Sequence, residues 1–256
     1  ADGGAGADSG ALTMADGTVI NAGNGTITLS ADENVTLGQL ISTGSVAITS
    51  TAAGVVDGGN TGGTDIQAGA VTIDAKTGVG HAGNIDTTIA TLDLDNTTSG
   101  NIDINETDAL AINQLDQDGT GTVNVDAGGT ITVAGPVTAT TGNVELDANG
   151  GSSNIVVNDG VTTTGGAVSL LADDDVTFAA DGDVASANGI VTVTADIAGG
   201  NNGGVITMAN GALIDAGSGT IALTADGDIT LGGLITTNAG GTAVVVTSTS
   251  GGLVDG

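Results

Sequence analysis

The chain has 256 residues, 39% of them apolar, enough to bury a core, yet it holds no Trp, Tyr or Cys, one Phe (Phe178), one Pro (Pro136) and 47 Gly. Thirty acidic residues stand against one base, Lys76, for a net charge of −29, which excludes nucleic acid and acidic membranes as partners because nothing neutralises phosphate. No apolar run is long enough to span a bilayer, no disulfide frame exists, and the chain opens on Ala1 without a charged and apolar leader, so any export signal is expected outside it.

The first patterned stretch after the opening is "GTITLSADENVTL", Gly25 to Leu37, with Gly at position one, apolar residues at three, five, eleven and thirteen, and Ala at seven. The phrase returns without a gap at Gly121 ("GTVNVDAGGTITV"), Gly166 ("GAVSLLADDDVTF") and Gly219 ("GTIALTADGDITL"). Alternation at period two turns one side of a strand to a core and the other to water. Strand-like openings follow Gly25, Gly44, Gly69, Gly100, Gly121, Gly142, Gly166, Gly189, Gly219 and Gly241, each with an apolar pair two apart, from Ile27/Leu29 to Val244/Val246. A second pair follows in most of them (Val35/Leu37, Leu110/Ile112, Ile131/Val133, Ile155/Val157, Val176/Phe178, Ile229/Leu231), then a shorter segment around Ile41, Val137, Val161, Ile214 and Ile235.

Three short strands per turn, separated by Gly, Asn and Asp, predict an all-β chain folded as a right-handed parallel β-helix, or β-solenoid, of about ten to eleven rungs. The tight two-residue reversals of a hairpin sandwich do not recur in register. Stacked Val and Ile fit a narrow section already stiff at χ1, and a ring demands room that such a section lacks. Disorder is excluded by the same β-branched alternation.

A longer period encloses this one. Thr13–Thr43 laid on Thr207–Thr237 at a shift of 194 gives 19 identities in 31 residues, and Thr49–Gly58 matches Thr247–Gly256 at a shift of 198. The expectation is one continuous solenoid over 1–256, with 1–194 a first unit and 195–256 the start of the next. Further copies of the repeat, in the same chain or in identical chains stacked end to end, are the expected partners, together with lateral bundling of fibres.

Two long rungs carry insertions, "AKTGVGHAGN" (75–84) in Gly69 to Ser99 and "ADIAGGNNGG" (195–204) in Gly189 to Ser218. The first holds Lys76 and His81, a contact loop in a binding reading and a solvated loop otherwise. His81 has no second His or Cys nearby for a metal site. Asp173, Asp174 and Asp175 form the densest acidic cluster, at a turn whose counterparts carry Asp32-Glu33-Asn34 and Asp226-Gly227-Asp228. Calcium takes such oxygens, so Asp173, Asp174, Asp175, Asp226 and Asp228 are candidates for a weak Ca2+ or counterion site, although Asp and Asn also simply suit turns. No other cofactor is implied. Acidic pairs invite a glycosidase reading, but without aromatic platforms or a cationic cleft no enzyme is expected. Sequons occur at Asn24, Asn34, Asn96 and Asn105.

The phrase "GTITLSADENVTLGQLIST" and its kin resemble the repeats of filamentous-haemagglutinin-like exoproteins and other giant bacterial surface adhesins. That resemblance implies an extracellular or cell-surface location on a bacterium and a role in attachment, matrix or coating. The expected function is a structural fibre segment. The alternative is an adhesin stalk or module that recognises a host, cell-surface or polysaccharide ligand through its loops.

Overall fold

The computed structural model describes residues 10–59, 63–80, 83–196 and 203–256. Among the described residues it is all-β and without helix: a parallel β-solenoid of about 11 turns with three strands per turn. Each strand pairs in parallel with its counterpart one turn away, at the 4.8 Å or so that a ladder imposes, so inward side chains form axial columns. One column runs Leu12, Val35, Val55, Val79, Ile102, Val123, Val144, Val168, Val191, Ile221, Val244. From Val35 to Ile221 none of its members is more than 1% exposed. A second column runs from Leu29 through Ile73, Leu94, Leu115 and Val161 to Leu234. The alternation expected from sequence is thus the core itself. The section does admit one ring: Phe178 is buried between Val157 and Met208, whose unbranched thioether yields to its shape.

The opening glycines from Gly100 to Gly219 are explained by close approach. A Cβ on Gly142 would lie 1.6 Å from the Gly121 carbonyl oxygen, and one on Gly166 would lie 2.0 Å from that of Gly142. The corners of successive turns therefore rest backbone on backbone, and a side chain would force the turns apart.

Two expectations need correction. Gly69 to Ser99 is more than one rung with an insertion: Val71/Ile73 stack on Leu92/Leu94, a pair that no Gly introduces, and Ile102/Ile104 belong to a different face. Val79, inside the supposed contact loop, is fully buried and bridges Val55 to Ile102 in the first column.

The faces also shift along the coil. From Val123 onward each turn has a five-residue strand on a first face (Val123–Ala127), a short strand on a second (Ile131–Val133) and another on a third (Val137–Ala139). The early turns have the same local order, Ile27–Ala31, Val35–Leu37, Gln39–Ser42, but in a different place. Their long strand lies over the later corner between the second and third faces, and Val35, not Ile27, stands in the column of Val123. One corner opens step by step between them. Leu92 and Leu94 are two residues apart, Ile112 and Leu115 three, Val133 and Val137 four, with Ala134-Gly135-Pro136 rounding the turn. Another corner, at Gly38 between Leu37 and Leu40, closes into the straight strand Ile102–Glu106. The four copies of the phrase therefore do not share one set of columns.

Candidate functional site

Where the corners exchange, a straight strand must lie against a bent one, and backbone donors lose their ladder partners. Polar side chains inside the core replace them. Glu106, 1% exposed, accepts from Thr87 Oγ1 at 2.6 Å and from the Ile89 N–H at 3.1 Å through Oε2, and from the Asp108 N–H at 3.2 Å through Oε1. Burial pushes its carboxyl above the usual range, against the pull of these donors. One corner away, Asn96 Oδ1 accepts from the Gly78 N–H at 2.9 Å while its Nδ2 donates to Gln117 Oε1 at 2.9 Å, and Gln117 donates to the Gly100 carbonyl at 2.6 Å. Thr87, Asn96, Glu106 and Gln117 are all buried, so the sequon at Asn96 is sealed in the core.

The outer surface carries acids in ladders. Asp74, Asp95 and Asp116 stand in register on three successive turns. Asp116 is supplied by Gln114 Nε2 at 2.6 Å and Thr138 Oγ1 at 2.5 Å, whereas Asp95 Oδ1 is buried without a hydrogen-bond partner. On the first face Asn105, Asp126 and Asp147 are in register, with Glu145 beside them. Burial, then the charges of Asp126, Glu145 and Asp173, push Asp147 up to about 6. Asp65, 4% exposed, is pushed up to about 7 by burial despite accepting from the Asp86 N–H at 2.9 Å, with the charges of Asp57 and Asp86 adding to the rise. Burial likewise raises Asp95 and Asp126. None of these was singled out from sequence, although alternating Asp in "TLDLDN" and "ELDA" is their signal.

The candidate calcium residues lie at the corner between the first and second faces. Asp173 Oδ2 accepts from the Gly151 N–H at 2.7 Å, Asp175 Oδ1 from the Val205 N–H at 2.8 Å, and Asp228 Oδ1 from the Gly252 N–H at 2.8 Å. Asp226 accepts from the Thr249 hydroxyl. Burial, then the charges of Asp175 and Asp196, raise Asp174. These carboxylates tie one turn to the next. The rung that carries Val191–Ala195 lies between those of Asp173–Asp175 and Asp226–Asp228, and Asp32-Glu33-Asn34 stands on another corner altogether. Among the described residues no group of three or more His, Cys, Asp or Glu is arranged to hold a metal ion. Lys76 is exposed at the corner after the third face, and His81 lies outside the described residues.

A groove of about 590 Å³ follows an early corner, lined by Ile41, Thr43, Gln67, Thr88, Ile89 and Asp108 among others. Among the described residues no helix is long and apolar enough to cross a membrane. Comparison with protein-family models, curated proteins and solved structures returns no match, so the functional reading rests on the chain's own residues.

Proposed function

We propose that the chain is a segment of a structural fibre at a bacterial surface or outside the cell, a stiff acidic rod that extends, coats or links. The observation that carries this reading is the unbroken aliphatic column from Leu12 to Val244, which makes length along one axis the main product of folding. About 11 turns at roughly 4.8 Å give a rod of about 50 Å, so 29 net charges amount to roughly one per 1.7 Å of axis, comparable to duplex DNA. Such a rod condenses counterions, repels its neighbours at low salt and bundles when divalent cations bridge it. Light scattering with and without millimolar calcium tests this: a rise with calcium that a chelator reverses is expected, and no response removes the proposed electrostatic control.

A second reading, recognition of a polysaccharide or surface ligand, has the groove beside Gln67 in its favour. Its test is binding to immobilised polysaccharides that Gln67→Ala and Thr88→Ala together reduce. Equal binding by the double variant refutes it.

A further inference from the structure

The two copies of the long repeat fold alike in detail. Gly23 N–H donates to Asn21 Oδ1 as Gly217 N–H does to Asp215 Oδ1. Gly54 N–H donates to Asn34 Oδ1 as Gly252 N–H does to Asp228 Oδ1, and Ser50 Oγ to the Glu33 carbonyl as Ser248 Oγ to that of Gly227. Ile27–Ala31 and Ile221–Ala225 are both five-residue strands that bury positions one, three and five. Yet the two copies occupy different columns. Ile221 stands in the column of Val35, eight register steps on (Val55, Val79, Ile102, Val123, Val144, Val168, Val191, Ile221), and Ile27 lies one strand before Val35. Ile27 itself reaches Met208 after eight steps of its own column, by way of Val133, and Leu29 reaches Ile214, so Ile221 and Leu223 stand about half a turn further on. The repeat thus advances the coil by about eight and a half turns.

The C-terminal edge shows what this means for the next copy. Val244, Val245, Leu253 and Val254 are 42%, 43%, 57% and 47% exposed, whereas Val46 and Val55, the first-copy equivalents of Val244 and Leu253, are 1% and 0% exposed. Val46 is covered by Val71 and Val55 by Val79. The chain therefore contains its own template for covering this edge.

We propose that consecutive copies of the repeat stack as one coil, each turned about half a turn, roughly 180°, from the copy before. The occupant of the C-terminal edge is the stretch of a further copy equivalent to Ile66–Val79. Its long strand lies on Val244–Ser248, on the first face, as Ala70–Ala75 lies on Ser45–Ser50. It does not lie on Gly233–Ile235, where the columns of the first copy's long strand lead. Side chains equivalent in sequence then alternate between opposite sides of the fibre and return to the same face after two copies, about 17 turns or roughly 80 Å. Exposed corner features such as Lys76 would face opposite sides of the fibre in alternate copies, so no single flank carries them all. The inference uses the fibre reading only in taking the coil to continue, and the experiment separates the two.

The chain is extended past Gly256 with its own residues 59–118, and Asp74 of the graft is replaced by Cys; with no native cysteine, any disulfide is diagnostic. A second Cys is placed at Thr247, which corresponds to Thr49, the ladder partner of Asp74. In a parallel variant it is placed at Ile235, which ends the column running through Asp74, Asp95, Asp116, Thr138, Thr162, Ala185 and Asp215. Ladder neighbours at about 4.8 Å lie within disulfide reach. The rotated stack predicts that the Thr247→Cys variant closes at least several-fold more completely than the Ile235→Cys variant. The reverse preference overturns the rotation and leaves a continuous rod. If neither closes, and the amides of 244–248 gain no hydrogen-exchange protection in the cysteine-free extension, the coil does not continue and both readings fall. Protection at 244–248 with no preference between the pairs overturns the rotation alone.

Discussion

Glu106→Ala and Glu106→Gln together weigh the polar core where the corners exchange. Ala removes the acceptor of three donors, but they are not equal. The Asp108 N–H belongs to an exposed residue that water reaches, and the Thr87 hydroxyl can turn to the Asn105 carbonyl, already 3.4 Å away. The Ile89 N–H, on a buried residue inside a long strand, has no such substitute. Leaving it unsatisfied costs about 1–3 kcal/mol, and the emptied side-chain volume adds about 1 kcal/mol more. Relief of the buried carboxylate offsets part of this. Gln keeps an oxygen for Ile89 and loses the charge, so it should match or slightly exceed the wild type at pH 7.5, and Gln should exceed Ala by about 2 kcal/mol or more. Urea unfolding followed by circular dichroism measures the midpoints. The pH dependence has a definite sign: the folded carboxyl is raised, so the folded state holds more protons than the unfolded one. The wild type is therefore stabilised as pH falls toward the ordinary Glu range, and its gap to Gln narrows there. Equal midpoints for Ala and Gln, together with a gap independent of pH, refute the assignment.

Asp65 and Asp147, raised to about 7 and about 6, make the whole chain gain stability as pH falls from 8 toward 5, the reverse of ordinary acid denaturation in that window, and the melting temperature at each pH measures it. Asp147→Asn should raise the melting temperature at pH 8, raise it much less near pH 4.5 and leave it almost unchanged near pH 3. Leu94→Ala, between Ile73 and Leu115 in the second column, should cost about 2–5 kcal/mol, while Ile190→Ala, at a site 50% exposed, should cost under about 0.5 kcal/mol by the same urea assay. Gly142→Ala drives a Cβ onto the Gly121 carbonyl, so it should lower the melting temperature far more than Gly151→Ser, whose Cβ position is open, even though the latter has a positive φ of 69°. Comparable losses would remove the backbone-on-backbone account of the corners.

Local structure was legible in the chain alone: five-residue strand, polar turn, short strand, short strand, with inward positions readable from alternation. This is so because the choice of inward and outward depends on neighbours two residues away, and turn chemistry acts over three or four. The same locality makes Thr13–Thr43 and Thr207–Thr237 fold alike, down to their side-chain caps. Which column each strand joins was decided only by the tertiary structure. That choice depends on the residues elapsed since the previous turn, and each corner between Leu94 and Val137 adds one residue that no local pattern announces. Leu92/Leu94 escaped a reading keyed to glycine for this reason, and so did the in-register acids at Asp74, Asp95 and Asp116, about twenty residues apart in the chain and one ladder step apart in space. A ladder compares residues a whole turn apart, and the length of that turn is set by corners whose bends are fixed by what they rest upon.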